Sequence, residues 1–104
     1  MQDGKAQGKI WIRLMKANES MRDISVNAWR ENPETALREA LPQLDVSQPM
    51  WMPRHKADWE EYSFTHFLPE HFVDSVSFDR MEIRYIFAEN QPKPARRRSI
   101  LEDV

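Results

Sequence analysis

The chain has 104 residues, of which 40% are apolar and 31% are charged, as is typical of a single globular domain. It contains no cysteine, which excludes disulfides, thiolate metal sites and cysteine nucleophiles. Residues 9–90 hold ten basic and fourteen acidic side chains, whereas residues 91–104 hold four basic and two acidic ones. This mildly acidic balance argues against a phosphate-binding face that spans the whole domain.

The pattern divides the chain into three parts. Residues 1–8, which contain both glycines, are expected to form a flexible leader, and residues 91–104 a disordered basic tail. Residues 9–90 are expected to form one α+β domain. No apolar stretch resembles a signal peptide or reaches the roughly 18 residues of a membrane span, so we expect a cytoplasmic protein without a membrane partner.

Two alternating segments open the domain. Residues 9–17 place Ile10, Ile12 and Leu14 on one face of a strand, with Trp11 and Met15 on the other. Residues 21–28 alternate again, so the two segments predict a β-hairpin. The intervening residues are not an Asn-Gly pair, and we therefore expect a loop of about three to five residues.

A helix is predicted to follow the hairpin. Asn32 can cap its first turn, Pro33 suits the first helical position, and Glu34 complements the helix dipole. The apolar residues that follow have helical spacing, and Pro42 is expected to end or tighten the helix.

The second half of the domain contains shorter elements. Residues 48–53, bracketed by prolines, predict a short edge strand. Residues 54–62 place His55, Trp59 and Tyr62 on one face of a short helix. A short strand at 64–68, a helical turn at 69–73 and a long strand at 76–87 are expected to follow.

This order of elements resembles that of the ubiquitin-like β-grasp fold over residues 9–88. The resemblance implies a small mixed sheet with the first and last strands parallel at its centre, the main helix on one face and a short extra helix. Another α+β sandwich containing a ββα unit is the alternative. Residues 49–55 and 77–83 also resemble a family of small uncharacterised bacterial proteins, and that resemblance implies no activity.

The sequence does not favour catalysis. With both glycines in the leader, the domain has no glycine-rich phosphate loop, and no serine lies in a Gly-x-Ser-x-Gly elbow. The adjacent Glu60 and Glu61 point to different sides of the predicted helix. We therefore expect a protein that is not an enzyme and needs no cofactor.

Three histidines, His55, His66 and His71, fall within seventeen residues. Imidazoles near carboxylates are capable of binding zinc or iron, but their spacing matches no metal motif. We consider them weak metal candidates and expect instead half-exposed rings within aromatic packing.

The stretch from residue 57 to residue 79 contains no lysine or arginine, and an acidic surface attracts basic partners. Tryptophan is enriched at interface cores. The primary hypothesis is therefore a module that binds another protein, or a second copy of itself through an edge strand or an aromatic patch. The candidate partner-binding residues are Trp51, Asp58, Trp59, Glu60, Glu61 and Glu70. The alternative interpretation of the acidic stretch is a solvated face balanced by Arg80 and Arg84.

The tail supplies a second functional hypothesis. Arg96, Arg97 and Arg98 are capable of contacting phosphates, which predicts a nucleic-acid-associated accessory protein as the alternative. A solubilising tail is the simpler interpretation of the same three residues.

Overall fold

Four strands and two α-helices form the part of the chain that this structure, a computed structural model, describes, namely residues 8–88. In chain order the elements are β1 (Gly8–Lys16), β2 (Glu19–Ala28), α1 (Pro33–Ala40), a 3-10 segment (Leu41–Leu44), α2 (Pro53–Tyr62), β3 (Phe64–Phe67), a 3-10 turn (Pro69–His71) and β4 (Arg80–Ile86). This arrangement confirms the α+β class.

The sheet has the strand order β2-β1-β4-β3. The first and last strands are neighbours at its centre, as the β-grasp resemblance implies, but they run antiparallel, with Ile12 opposite Ile83. The β-grasp order requires these strands to be parallel and is therefore not confirmed. All three strand pairings are antiparallel, so this sheet needs no parallel crossover connection.

The prediction of a three- to five-residue hairpin loop is wrong, because β1 and β2 are joined by Ala17 and Asn18 alone. Both residues have positive φ, 54° and 65°, as a two-residue type I′ turn requires. Asp79 supports this turn from outside the hairpin. Its carboxylate accepts a hydrogen bond from the Ala17 N–H at 2.8 Å, and its own N–H donates to the Met15 carbonyl at 2.7 Å.

The two faces of the sheet differ in burial. Ile10, Ile12 and Leu14 are buried in the core with residues from both helices, while Trp11 and Arg13 point to the opposite side. Met15 was expected beside Trp11 but is buried, because a register shift between Leu14 and Met15 interrupts the alternation. Within residues 8–88 no helix covers the side opposite the core. We call that side the open face and define it by Lys9, Trp11, Arg13, Asp23, Phe64, His66, Arg80, Glu82 and Arg84.

Helix α1 begins and ends as the sequence predicts. The Asn32 Oδ1 accepts a hydrogen bond from the Thr35 N–H at 3.3 Å, and Pro33 occupies the first turn. Leu37 and Ala40 are fully buried. The helix ends at Ala40 and tightens into the 3-10 segment that contains Pro42.

Two predicted strands differ from the structure. Residues 48–53 do not join the sheet, since prolines 49 and 53 lack an N–H; the Met50 N–H instead donates to the His71 carbonyl at 2.8 Å. Strand β4 begins at Arg80 rather than at residue 76, because Asp79 is engaged by the hairpin turn.

One residue of α2 also differs from the prediction. Tyr62, predicted on the packed face of α2, is 58% exposed.

Candidate functional site

A cleft of about 190 Å³ lies between the beginning of α1 and one side of α2. Two indole rings and three carboxylates meet there, together with a single ammonium group. These groups belong to Glu31, Glu34, Trp51, Lys56, Trp59 and Glu60, and Pro33 completes the lining. All four charged side chains of the cleft are solvent-exposed, so their charges act on an approaching partner through water.

Trp59 forms the buried part of this cleft. It is only 5% exposed and belongs to the hydrophobic core. Its indole N–H donates to the Arg30 carbonyl at 2.7 Å, and the Arg30 guanidinium donates back to the carbonyls of Trp59 and Glu60, each at 2.9 Å. The guanidinium also lies where the dipole of α2 favours a cation. This reciprocal contact fixes α2 against the segment that leads into α1.

Trp51 lies at the more accessible part of the cleft. Its ring is partly buried and packs edge-on against Phe67, with the ring centroids 5.1 Å apart. Its neighbours Met50 and Met52 are 49% and 40% exposed. The segment therefore places accessible apolar side chains on either side of Trp51 in the sequence.

The acidic stretch does not form one surface. Asp58 accepts a hydrogen bond from the Thr65 hydroxyl at 3.2 Å, which uses this carboxylate to join α2 to β3. Glu70 lies in the second 3-10 turn, beside His71, and does not line the cleft. Of the predicted acidic residues, the cleft contains only Glu60; Glu61 lies next to it in α2 but is not among the lining residues.

The cations expected to balance the stretch have other partners. Arg80 forms an ion pair with Glu82 at 2.8 Å, and Arg84 lies over the Phe64 ring. Both belong to the sheet rather than to α2. Within residues 8–88, neither arginine forms an ion pair with a carboxylate of the stretch, and neutralisation of that stretch by these two arginines stays a prediction.

Two histidines occupy matching positions in a repeated local motif. Met52-Pro53-Arg54-His55 and Leu68-Pro69-Glu70-His71 each begin a helical turn, and the histidine Nδ1 accepts a hydrogen bond from the backbone N–H three residues earlier. These hydrogen bonds are 2.9 and 3.0 Å long. The two imidazole rings then meet edge-on with centroids 4.6 Å apart. The motif is a histidine version of the capping box.

Burial of His55 lowers its pKa from 6.5 to about 4, and the neighbouring His71 adds to the effect. The hydrogen bond to Nδ1 acts in the same direction, because a proton on that atom would face the Met52 N–H, another donor. His55 therefore remains neutral at physiological pH. This fully buried imidazole is a structural group rather than one of the half-exposed rings expected from the sequence.

The three histidines do not share a site. His66 alternates with the buried Thr65 and Phe67 on β3 and so points to the open face, while His55 and His71 lie on the helix side. A neutral imidazole whose Nδ1 accepts a hydrogen bond carries its proton on Nε2 and has no lone pair left for a metal. Among the described residues, no group of three or more acidic, histidine or cysteine side chains is arranged to hold a metal ion.

Sequence reasoning missed Glu31 and Glu34 as members of the cleft. Glu34 was placed correctly in the first turn of α1, but its approach to Trp51 and Trp59 depends on how α2 packs, which no local pattern reports. Arg96, Arg97 and Arg98 lie outside the described residues.

Comparisons of the chain with protein-family models, with curated proteins and with solved structures found no match. This result is consistent with a protein of unknown function and does not show a bacterial origin. Within residues 8–88, no helix has the length and apolar character needed to cross a membrane.

Proposed function

We propose that this protein is a non-enzymatic interaction module that binds a basic segment of a partner protein in the cleft between α1 and α2. The observation that carries the proposal is the meeting of Trp51 and Trp59 with the three exposed carboxylates of Glu31, Glu34 and Glu60. An indole face and carboxylates together attract a lysine or arginine side chain, through cation–π and ionic contacts.

Binding explains this arrangement better than catalysis does. The cleft carboxylates are exposed and hydrated, which suits the attraction of a cation more than proton transfer in a water-excluded site. Lys56 at the same cleft gives a partner carboxylate or carbonyl a place to bind and so favours a peptide over a bare cation. The accessible Met50 and Met52 extend the contact surface with flexible apolar groups.

The test is an isothermal titration with a short alanine-based peptide that carries three arginines, using the full chain with Arg96, Arg97 and Arg98 replaced by glutamine. Those replacements remove the chain's own basic segment as a competitor. We expect the double variant Glu34→Gln/Glu60→Gln to weaken binding by about tenfold, because it removes two charges from the site. Raising the salt concentration should reduce the difference between the variants.

Glu70→Gln and Glu19→Gln are the matched controls, since both residues are exposed and lie outside the cleft. They should leave the affinity unchanged. An equal loss in Glu70→Gln would assign binding to the acidic stretch as a whole, and no measurable binding of the basic peptide would refute the proposal.

A further inference from the structure

On the open face, a row of alternating aromatic rings and guanidinium groups crosses three strands. Trp11 of β1 is directly opposite Arg84 of β4, and Arg84 is directly opposite Phe64 of β3. The Arg84 guanidinium lies 4.7 Å from the centroid of Phe64, and the Arg13 guanidinium lies 4.6 Å from the centroid of Trp11. The row therefore presents flat, stacked groups on a rigid sheet.

The charge of this face is opposite to that of the chain. Lys9, Arg13, Arg80 and Arg84 supply four cations against the carboxylates of Asp23 and Glu82, while the whole chain has a net charge of −2. Within residues 8–88, Lys9 and Arg84 form no ion pair. The mildly acidic balance of residues 9–90 is thus an average over this basic face and the acidic cleft.

The remaining polar contacts fix the row in place. The Trp11 indole N–H donates to Asp23 at 2.8 Å, which orients the ring. Glu82 binds both Arg13 and Arg80, at 2.7 and 2.8 Å. Partial burial opposes ionisation of Glu82, but the hydrogen bonds from Arg80 and Arg13 outweigh it and hold the pKa of this carboxyl below its ordinary value. Glu82 is thus an anion that holds two cations at the surface.

We propose that the open face binds single-stranded nucleic acid, with bases stacked along Trp11, Arg84 and Phe64 and phosphates contacted by Lys9, Arg13 and Arg80. Unpaired bases stack on aromatic rings and on guanidinium planes, and a basic surface attracts the backbone. A duplex hides its bases and matches this row less well. This site lies on the side of the sheet away from the cleft and does not depend on the proposed protein-binding function.

The test is fluorescence anisotropy with a labelled oligothymidine of about 12 nucleotides, the length that one small domain contacts. We use the full chain and a full chain in which Arg96, Arg97 and Arg98 are replaced by glutamine. In both backgrounds, Trp11→Ala and Arg84→Ala should each weaken binding by at least about fivefold, the loss expected for one stacked base. The affinity should fall steeply with salt.

Three further variants test whether binding is specific to the open face. Glu82→Gln should tighten binding, because it removes the carboxylate that neutralises Arg13 and Arg80, whereas Glu34→Gln on the cleft side should have no effect. Trp11→Phe retains a flat ring and should restore most of the affinity lost in Trp11→Ala. Circular dichroism and thermal unfolding confirm that each variant is folded.

Three outcomes would overturn the proposal. The first is no salt-dependent binding by the full chain. The second is binding that disappears when the three tail arginines are replaced and is indifferent to Trp11→Ala and Arg84→Ala, which assigns it to the tail. The third is a dimer in analytical ultracentrifugation that Trp11→Ala dissociates while the oligonucleotide does not bind, which assigns the face to a second copy of the chain.

Discussion

The two sides of the sheet use the same residue types in different ways. On the helix side, Trp59 is 5% exposed and belongs to the core, so the ring that lines the cleft also holds α2 in place. On the open face, Trp11 is only partly buried and contacts two polar side chains, Asp23 and Arg13. Stability and any binding role are therefore coupled at the cleft and largely separate on the open face.

The two sides of the sheet also differ in charge. The cleft gathers Glu31, Glu34 and Glu60, and the open face carries an excess of cations. Because salt screens exposed charges on opposite sides of a domain from one another, the two proposed sites would attract partners of opposite charge. The small net charge of −2 is therefore the sum of two surfaces of opposite sign.

The largest expected effect comes from replacing Trp59 and Trp11 one at a time. Trp59→Ala should lower the free energy of unfolding by about 3–5 kcal/mol, as for other buried aromatic residues, because it leaves a cavity and an unpaired Arg30 carbonyl. Trp11→Ala should lower it by about 1 kcal/mol or less, since the ring is partly exposed and lies outside the hydrophobic core. Urea denaturation of both variants measures the difference.

Trp59→Phe is the control for this pair, since it keeps an aromatic ring and removes the indole N–H. Its free energy of unfolding should lie between those of the two alanine variants. If Trp11→Ala and Trp59→Ala lowered the free energy of unfolding equally, the two tryptophans would not differ in their contribution to core packing.

A pH titration gives the next largest effect. The pKa of His55 is about 4 in the folded protein and 6.5 ordinarily, so the unfolded chain takes up a proton first as the pH falls. The stabilisation from keeping His55 neutral is complete above pH 6.5 and is lost progressively as the pH falls to about 4. The loss amounts to about 3 kcal/mol, at 1.36 kcal/mol per pKa unit.

His55→Gln tests the assignment, because glutamine at the third helical position can accept the Met52 N–H without titrating. This variant should be less stable at neutral pH, but its stability should vary much less between pH 6.5 and 4.5. His66→Gln, which removes an imidazole from the opposite side of the sheet, is the control for the loss of a histidine. Glu82 contributes in the same direction at lower pH, since its pKa lies below the ordinary 4.5. An unchanged slope in His55→Gln would show that another group titrates.

The local elements of the fold could largely be predicted from the sequence. Asn32 and Pro33 mark the start of α1, and the alternation of Ile10 and Ile12 marks β1, because caps and periodicity are local properties. The direction of β4 relative to β1 and the two-residue turn at Ala17 could not, since both depend on contacts between distant residues such as Asp79 and Ala17.

The candidate site was predicted only in part. Trp51, Trp59 and Glu60 were identified from residue type, and the cleft brings these three together. Glu70 and Asp58 were included because they fall in the same stretch of sequence, and the chain reversal at Ser63 separates their roles. Nearness in sequence is a poor guide to a surface once a stretch contains a helix, a strand and a turn.

The smallest expected effect concerns the hairpin turn, which sets the register of β1 and β2 and so decides which residues lie on each face of the sheet. Because a slip of one residue moves every side chain of a strand to the other face, Trp11 and Ile12 would exchange environments if the hairpin turn were wrong. Ala17 and Asn18 both have positive φ, which asparagine tolerates better than alanine does. Ala17→Asn should therefore raise the free energy of unfolding by up to about 1 kcal/mol, and Asn18→Ala should lower it by a similar amount. Urea denaturation measures both changes, and a loss of stability in Ala17→Asn would contradict the two-residue turn and the division of residues between the faces.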